Sequence, residues 1–172
     1  MDLETSTTNI RILKKLTIET NLEVFDSISE LPKDIQELMN KAQQARENAY
    51  APYSHFRVGA ALRLVSGEII LGNNQENAAF PSGLCAERVA VFQAGATYPN
   101  VTITSLAITV RSSKQTIITP VAPCGACRQS LAEYEVKQKT PIAVFFMGEK
   151  GQVVKANSVK DLLPLIFDNS YL

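Results

Sequence analysis

The sequence predicts an α/β fold: a three-layer α/β/α sandwich around a mixed central sheet of about five strands, opening with an antiparallel hairpin and covered by helices on both faces. Three observations carry this expectation. Residues 32–50 place Ile35, Leu38, Met39, Ala42, Ala45 and Ala49 on one helical face. Two β-type runs, 56–65 and 68–73, are separated only by Ser66-Gly67, which reads as a tight hairpin turn. Beyond the hairpin, helical and strand patterns alternate.

Residues 1–10 are polar and expected to be mobile. Residues 14–25 carry Leu16, Ile18, Leu22 and Val24 at even spacing, the pattern of a strand. The segment 1–31 therefore reads as an N-terminal extension with a possible extra strand, and 32–172 as the functional domain. Pro32 starts the first helix, which should stop near Tyr50, before Pro52. Residues 73–84 are rich in Asn, Pro and Gly and read as a loop that carries function. Helices are predicted over 85–96 and 124–134, strands over 103–110, 142–147 and 152–155, and a last helix over 159–167.

Composition narrows the function. The chain has 172 residues, enough for one domain that buries about 70 % of its unfolded surface. Lys+Arg and Asp+Glu are both 17, so there is no basic excess of the kind nucleic acid calls for. No apolar run approaches the roughly 18 residues of a membrane span. The acidic, polar start, Met1-Asp2-Leu3-Glu4-Thr5-Ser6, is unlike a secretory leader. An odd count of 3 cysteines suits reduced thiols in a cytoplasm better than a disulfide framework.

Those cysteines lie in two short stretches, Leu84-Cys85-Ala86-Glu87-Arg88 and Pro123-Cys124-Gly125-Ala126-Cys127-Arg128. Cys124-x-x-Cys127 has zinc-ligand spacing, and Cys85 adds a distant third thiolate. Three protein ligands leave one position open, which marks a catalytic zinc. Other readings stand beside this one: buried thiols, a redox dithiol, or a closed structural zinc completed by His55. Glu87 reads as a carboxylate beside the metal, not a ligand. Both stretches open helices, whose unpaired N–H groups and positive dipole ends favour thiolate. Arg88 and Arg128 follow the ligand-bearing turns and are available to donate to sulfur and offset the charge of the thiolates.

Cys-x-Glu joined to Pro-Cys-x-x-Cys matches the zinc-deaminase signature, with Cys in place of His. The chain resembles nucleoside cytidine deaminases of the small, all-cysteine, homotetrameric type. The resemblance runs over about residues 32–167 and includes Tyr53-Ser54-His55-Phe56-Arg57-Val58-Gly59-Ala60-Ala61-Leu62, Gly72-Asn73-Asn74-Gln75-Glu76-Asn77-Ala78-Ala79, Arg128-Gln129 and Leu162-Leu163-Pro164. It implies one Zn²⁺ per chain and hydrolytic deamination of free cytidine and deoxycytidine, by attack of a zinc-activated water at C4. Glu87 would shuttle protons, a role that contributes about 10²–10⁴-fold. The resemblance further implies that Phe56 stacks on the base and that Asn74 and Glu76 hold the ribose 3′-hydroxyl. The Ala86 N–H would bind the base O2, Arg88 would donate to the thiolates, and Phe167 would close a neighbouring subunit's site. The chain departs from the pattern at Ala122, where Ser or Thr is common, and at Asp168-Asn169-Ser170, where the family usually continues Gly-Pro. Competing readings are a deaminase of a nucleoside-like antibiotic such as blasticidin S, a polynucleotide deaminase, and a zinc-stabilised binding module.

Overall fold

The structure, a computed structural model, describes residues 14–172. The stretch 1–10, expected to be mobile, lies outside the described residues. The ordered elements are β1 (Leu22–Phe25), α1 (Lys33–Glu47), β2 (Phe56–Leu64), β3 (Ile69–Asn73), α2 (Ala86–Thr97), β4 (Ile103–Ser112), α3 (Gly125–Gln138), β5 (Ala143–Met147) and β6 (Val153–Ala156). They form one 6-stranded sheet in the order β1-β6-β5-β4-β2-β3.

The hairpin lies where the turn residues put it. Gly67 takes a positive φ of 100°, open to glycine without strain, and its N–H returns to the Leu64 carbonyl at 3.0 Å. β2 pairs antiparallel with both β3 and β4, and β4 runs parallel to β5 across the α3 crossover. Period-2 alternation along the central strands then feeds two cores. Ala60, Leu62, Leu106, Ile108, Val144 and Phe146 face α2 and α3. Ala61, Ala107, Phe145 and Met147 face α1, which covers them with Ile35, Leu38, Met39 and Ala42. The three-layer arrangement follows.

Several expectations need correction. Among the described residues the sheet has six strands: the about five expected, and the possible extra strand of the N-terminal extension, which forms an edge paired antiparallel with β6. That strand is only Leu22–Phe25; residues 14–21 take no regular structure, since only Leu22–Phe25 has a β6 partner. Pro32 is the residue before α1, not its first, and α1 ends at Glu47, three residues short of Tyr50. The last helix does not form over 159–167. A single 3-10 turn covers Val159–Asp161, and Pro164 follows, lacking the N–H a helix needs.

Candidate functional site

The two cysteine stretches meet because two helices start side by side on one face of the sheet. Cys85 immediately precedes α2 and Cys124 immediately precedes α3, both with extended backbone (ψ 156° and 166°). An oxygen side chain at this position accepts from the helix's first N–H groups. Neither cysteine makes such a bond, so both sulfurs remain free to turn toward one another. Cys127 joins them from the first turn of α3. The Sγ atoms of Cys85 and Cys124 lie 3.8 Å apart, those of Cys124 and Cys127 3.4 Å, and all three fall within 4.8 Å of one another. Thiolates 2.3 Å from a tetrahedral zinc stand about 3.8 Å apart, so the donor set and its spacing fit that ion with a fourth position left over. His55 is exposed and outside this group, which removes the reading of a closed four-ligand site.

A feature missed in the sequence holds α2 in place. A Cβ on Gly72 would sit 2.3 Å from the Ala86 carbonyl and 2.6 Å from the Ala90 nitrogen. Only glycine lets β3 approach the start of the helix this closely. Gly72 lies inside the β-type run 68–73, and an isolated glycine in a strand is the available signal for such an approach.

Electrostatics distinguish the side chains around the sulfurs. Glu87 is buried (4 % exposed), and its Oε2 has no hydrogen-bond partner among the described residues. Burial, reinforced by the nearby Cys85 sulfur, pushes its carboxyl up to about 7. The hydrogen bond from Cys127, helped by Arg88 and Cys124, holds the Cys85 thiol down to about 5. The Cys127 thiol is raised by its bond to Cys85 and by burial. Arg88 Nη2 lies 4.0 Å from Cys85 Sγ and 3.5 Å from the Gly83 carbonyl. Arg128 is engaged differently: Nε donates to the Pro123 carbonyl (2.7 Å) and Nη1 to the Leu162 carbonyl (3.0 Å), with no bond to sulfur among the described residues.

A cavity of about 790 Å³ opens beside the sulfurs. Phe56, Val58, Ile108, Val110, Val121 and Ala122 supply apolar wall, while Asn74, Glu76, Glu87, Cys85 and Cys124 supply the polar groups. Phe56, Asn74, Glu76, Glu87 and Arg88 thus line one cavity. Ala86 is fully buried at the first position of α2. Asn74 and Glu76 are also bound to backbone. Asn74 accepts from the Val58 N–H (2.7 Å) and donates to the Phe56 carbonyl (2.9 Å), so it fixes the strand that carries Phe56. Glu76 accepts from the N–H groups of Tyr53 (2.9 Å) and Ser54 (3.2 Å) and from the Ser54 hydroxyl. Those bonds outweigh burial and hold its carboxyl below the usual carboxylate range. Tyr53 and Phe80, which the sequence reading passed over, form an edge-to-face pair at the cavity rim, 5.9 Å between centroids. Phe167 does not line the cavity of its own chain. It is exposed, stacks on Tyr171 at 5.7 Å, and its carbonyl accepts from Gln129 at 2.8 Å.

Comparison with known proteins gives a consistent result. Residues 32–143 match the model of the cytidine and deoxycytidylate deaminase zinc-binding region. A cytidine deaminase of Halalkalibacterium halodurans is 41 % identical over 134 residues, which cover 78 % of this chain and 94 % of that protein. One of Sporosarcina psychrophila is 38 % identical over 144 residues, covering 81 % and 95 %. The crystal structure of the cytidine deaminase from Burkholderia pseudomallei superposes with a TM-score of 0.66 at 41 % identity, covering 76 % of this chain and 97 % of that one.

Proposed function

The chain belongs to the cytidine and deoxycytidylate deaminase family, and from that premise we propose that its cavity takes free cytidine and deoxycytidine and hydrolyses the C4 amino group, giving uridine or deoxyuridine and ammonia. The observation that carries this reading is Glu87: a buried carboxyl on the cavity wall, its Oε2 without a hydrogen-bond partner among the described residues, set beside three sulfurs.

Cys85, Cys124 and Cys127 hold the metal. When bound, zinc supplies a Lewis acid that brings the pKa of a water near ~7. Glu87 does the proton work. It accepts a proton from the attacking water and delivers it to the ring N3, which makes C4 electrophilic as the C4–O bond forms. It then takes the remaining hydroxyl proton and passes it to the amino nitrogen, the C4–N bond breaks, and ammonia leaves. A buried carboxyl with no competing hydrogen-bond partner on Oε2 is free to take up and give back a proton in both steps. The apolar walls around Phe56 exclude water and receive the base; Phe56 stacks on it, and the Ala86 N–H binds O2. Asn74 and Glu76 keep lone-pair capacity beyond their backbone bonds for the ribose 3′-hydroxyl. Arg88 offsets the charge of the thiolates.

We place the enzyme in the cytoplasm, where thiols stay reduced, as a homotetramer in which Phe167 covers a neighbouring cavity. Its exposed ring and its position away from its own cavity support that reading. An absorbance assay on zinc-loaded protein against cytosine, cytosine nucleosides and nucleotides tests the function. Turnover of cytidine and deoxycytidine is expected, and no ammonia from either would overturn it. Subunit exchange between Glu87→Gln chains and chains truncated before Leu165 tests the shared site. Activity above both parents is expected, provided that the truncated chain assembles.

A further inference from the structure

The C-terminal segment that fails to form a helix is held by side chains of α3. Glu135, 5 % exposed, accepts from the Val159 N–H at 2.9 Å and from the Ser158 hydroxyl at 2.6 Å, fixing the root of the segment. Gln129 donates to the Phe167 carbonyl at 2.8 Å, fixing its end. Arg128 takes the middle, at the Leu162 carbonyl, 3.0 Å away. Its other arm reaches the carbonyl of Pro123, 2.7 Å away, the residue directly before Cys124. Helical side chains lean toward the N-terminus, so a residue in the first turns of α3 can reach back over the metal-ligating turn. A planar guanidinium can donate to two carbonyls at fixed angles at once; a lysine ammonium is a single point of donors on a flexible stem.

We propose that Arg128 is a positioning residue that joins the Cys124 turn to the C-terminal segment, so that the seating of this segment sets how firmly the metal is held. The inference rests on the reading of the three cysteines as the zinc site. Pro123 is buried while Cys124, Gly125 and Ala126 are exposed, and the Arg128 side chain ties the backbone at the buried root of this exposed turn. Arg128 thus acts on Cys124 through the backbone of the preceding residue. Loosening the segment loosens the same arginine.

The test is zinc affinity of the full-length zinc-loaded protein, read by competition with a chelating dye. Arg128→Ala should weaken zinc by about 10-fold, the range of groups that orient ligands. Arg128→Lys keeps the charge but cannot span both carbonyls, and should weaken zinc nearly as much. A chain ending at Leu163 keeps the buried Leu162 and its carbonyl; it should lose affinity too, by less. Combining truncation with Arg128→Ala should add nothing beyond Arg128→Ala alone, because both act through one link. Excess zinc should restore kcat in the Arg128 variants, as expected of a residue that touches no substrate. The proposal is overturned if Arg128→Lys binds zinc like the parent, if truncation leaves affinity unchanged, or if the two effects add. Should Arg128→Ala fail to fold, the lysine variant decides. Failure of the parent protein to take up zinc would instead remove the metal reading itself.

Discussion

The two helix starts that build the site look alike in sequence and differ in environment. Each follows a cysteine with extended backbone and no oxygen cap. After Cys85 the α2 start is buried: Ala86 is fully covered and Glu87 is 4 % exposed, with β3 pressed at Gly72 against Ala86 and Ala90. After Cys124 the α3 start is open: Gly125 and Ala126 are exposed, and a Cβ at Gly125 would meet nothing within 4 Å. Their second and third helical positions also differ. In α2 these are Glu87 and Arg88; in α3 they are Ala126 and Cys127. One helix start therefore supplies a sulfur, an acid and a cation, and the other supplies two sulfurs. Burial raises an acid's pKa, and on the covered helix the Glu87 carboxyl, proposed above as the proton carrier, reaches about 7.

Glu87→Gln should break the covered side hardest. It keeps the shape and removes the titrating group, so kcat should fall by at least about 10²-fold with zinc content unchanged. Near-normal turnover would move proton transfer elsewhere. Arg88→Ala comes next. It removes the cation 4.0 Å from the Cys85 sulfur and should weaken zinc binding or slow turnover by about 10–100-fold; dye competition and steady-state rates would register it. A glycine pair measures the difference between the two helix starts directly. Gly72→Ala drives a methyl group into the Ala86 carbonyl and should cost about 1–3 kcal/mol in thermal or denaturant unfolding, with a loss of zinc affinity. Gly125→Ala meets open space and should change stability by less than about 1 kcal/mol. Equal effects from both would mean that the α2 start is not held by β3. Finally, His55→Ala should leave the metal content as it was, because His55 lies outside the sulfur group. Loss of zinc in that variant would bring the histidine into the coordination sphere.

Much of this was legible in the sequence. Cysteine spacing, the glutamate two residues after Cys85, the Ser66-Gly67 turn and the apolar periodicities are local patterns, and local geometry is what sequence encodes most directly. Thus the sulfur group, the hairpin and the three layers appear where expected. The errors cluster where a residue's fate depends on a distant neighbour. Val159–Phe167 has a helical apolar pattern but contains Pro164; its own backbone bonds close only the turn at its start, and α3 side chains hold the rest. Arg88 and Arg128 both follow ligand-bearing turns and both are available to donate to sulfur, although the resemblance assigns that role to Arg88 alone. One lies three residues after its ligand and reaches sulfur; the other lies four after Cys124 and reaches two carbonyls.

The sequence by itself determined which atoms could do the chemistry: three thiols, one carboxyl and two arginines within two short stretches. Only the tertiary structure decided which of those groups is buried, how close the three sulfurs come, and which arginine is spent on backbone alone. Spacing along a chain fixes only near neighbours. Desolvation and long-range hydrogen bonds depend on segments such as β3 and 158–167, which reach the site only when the sheet and α3 have brought them there.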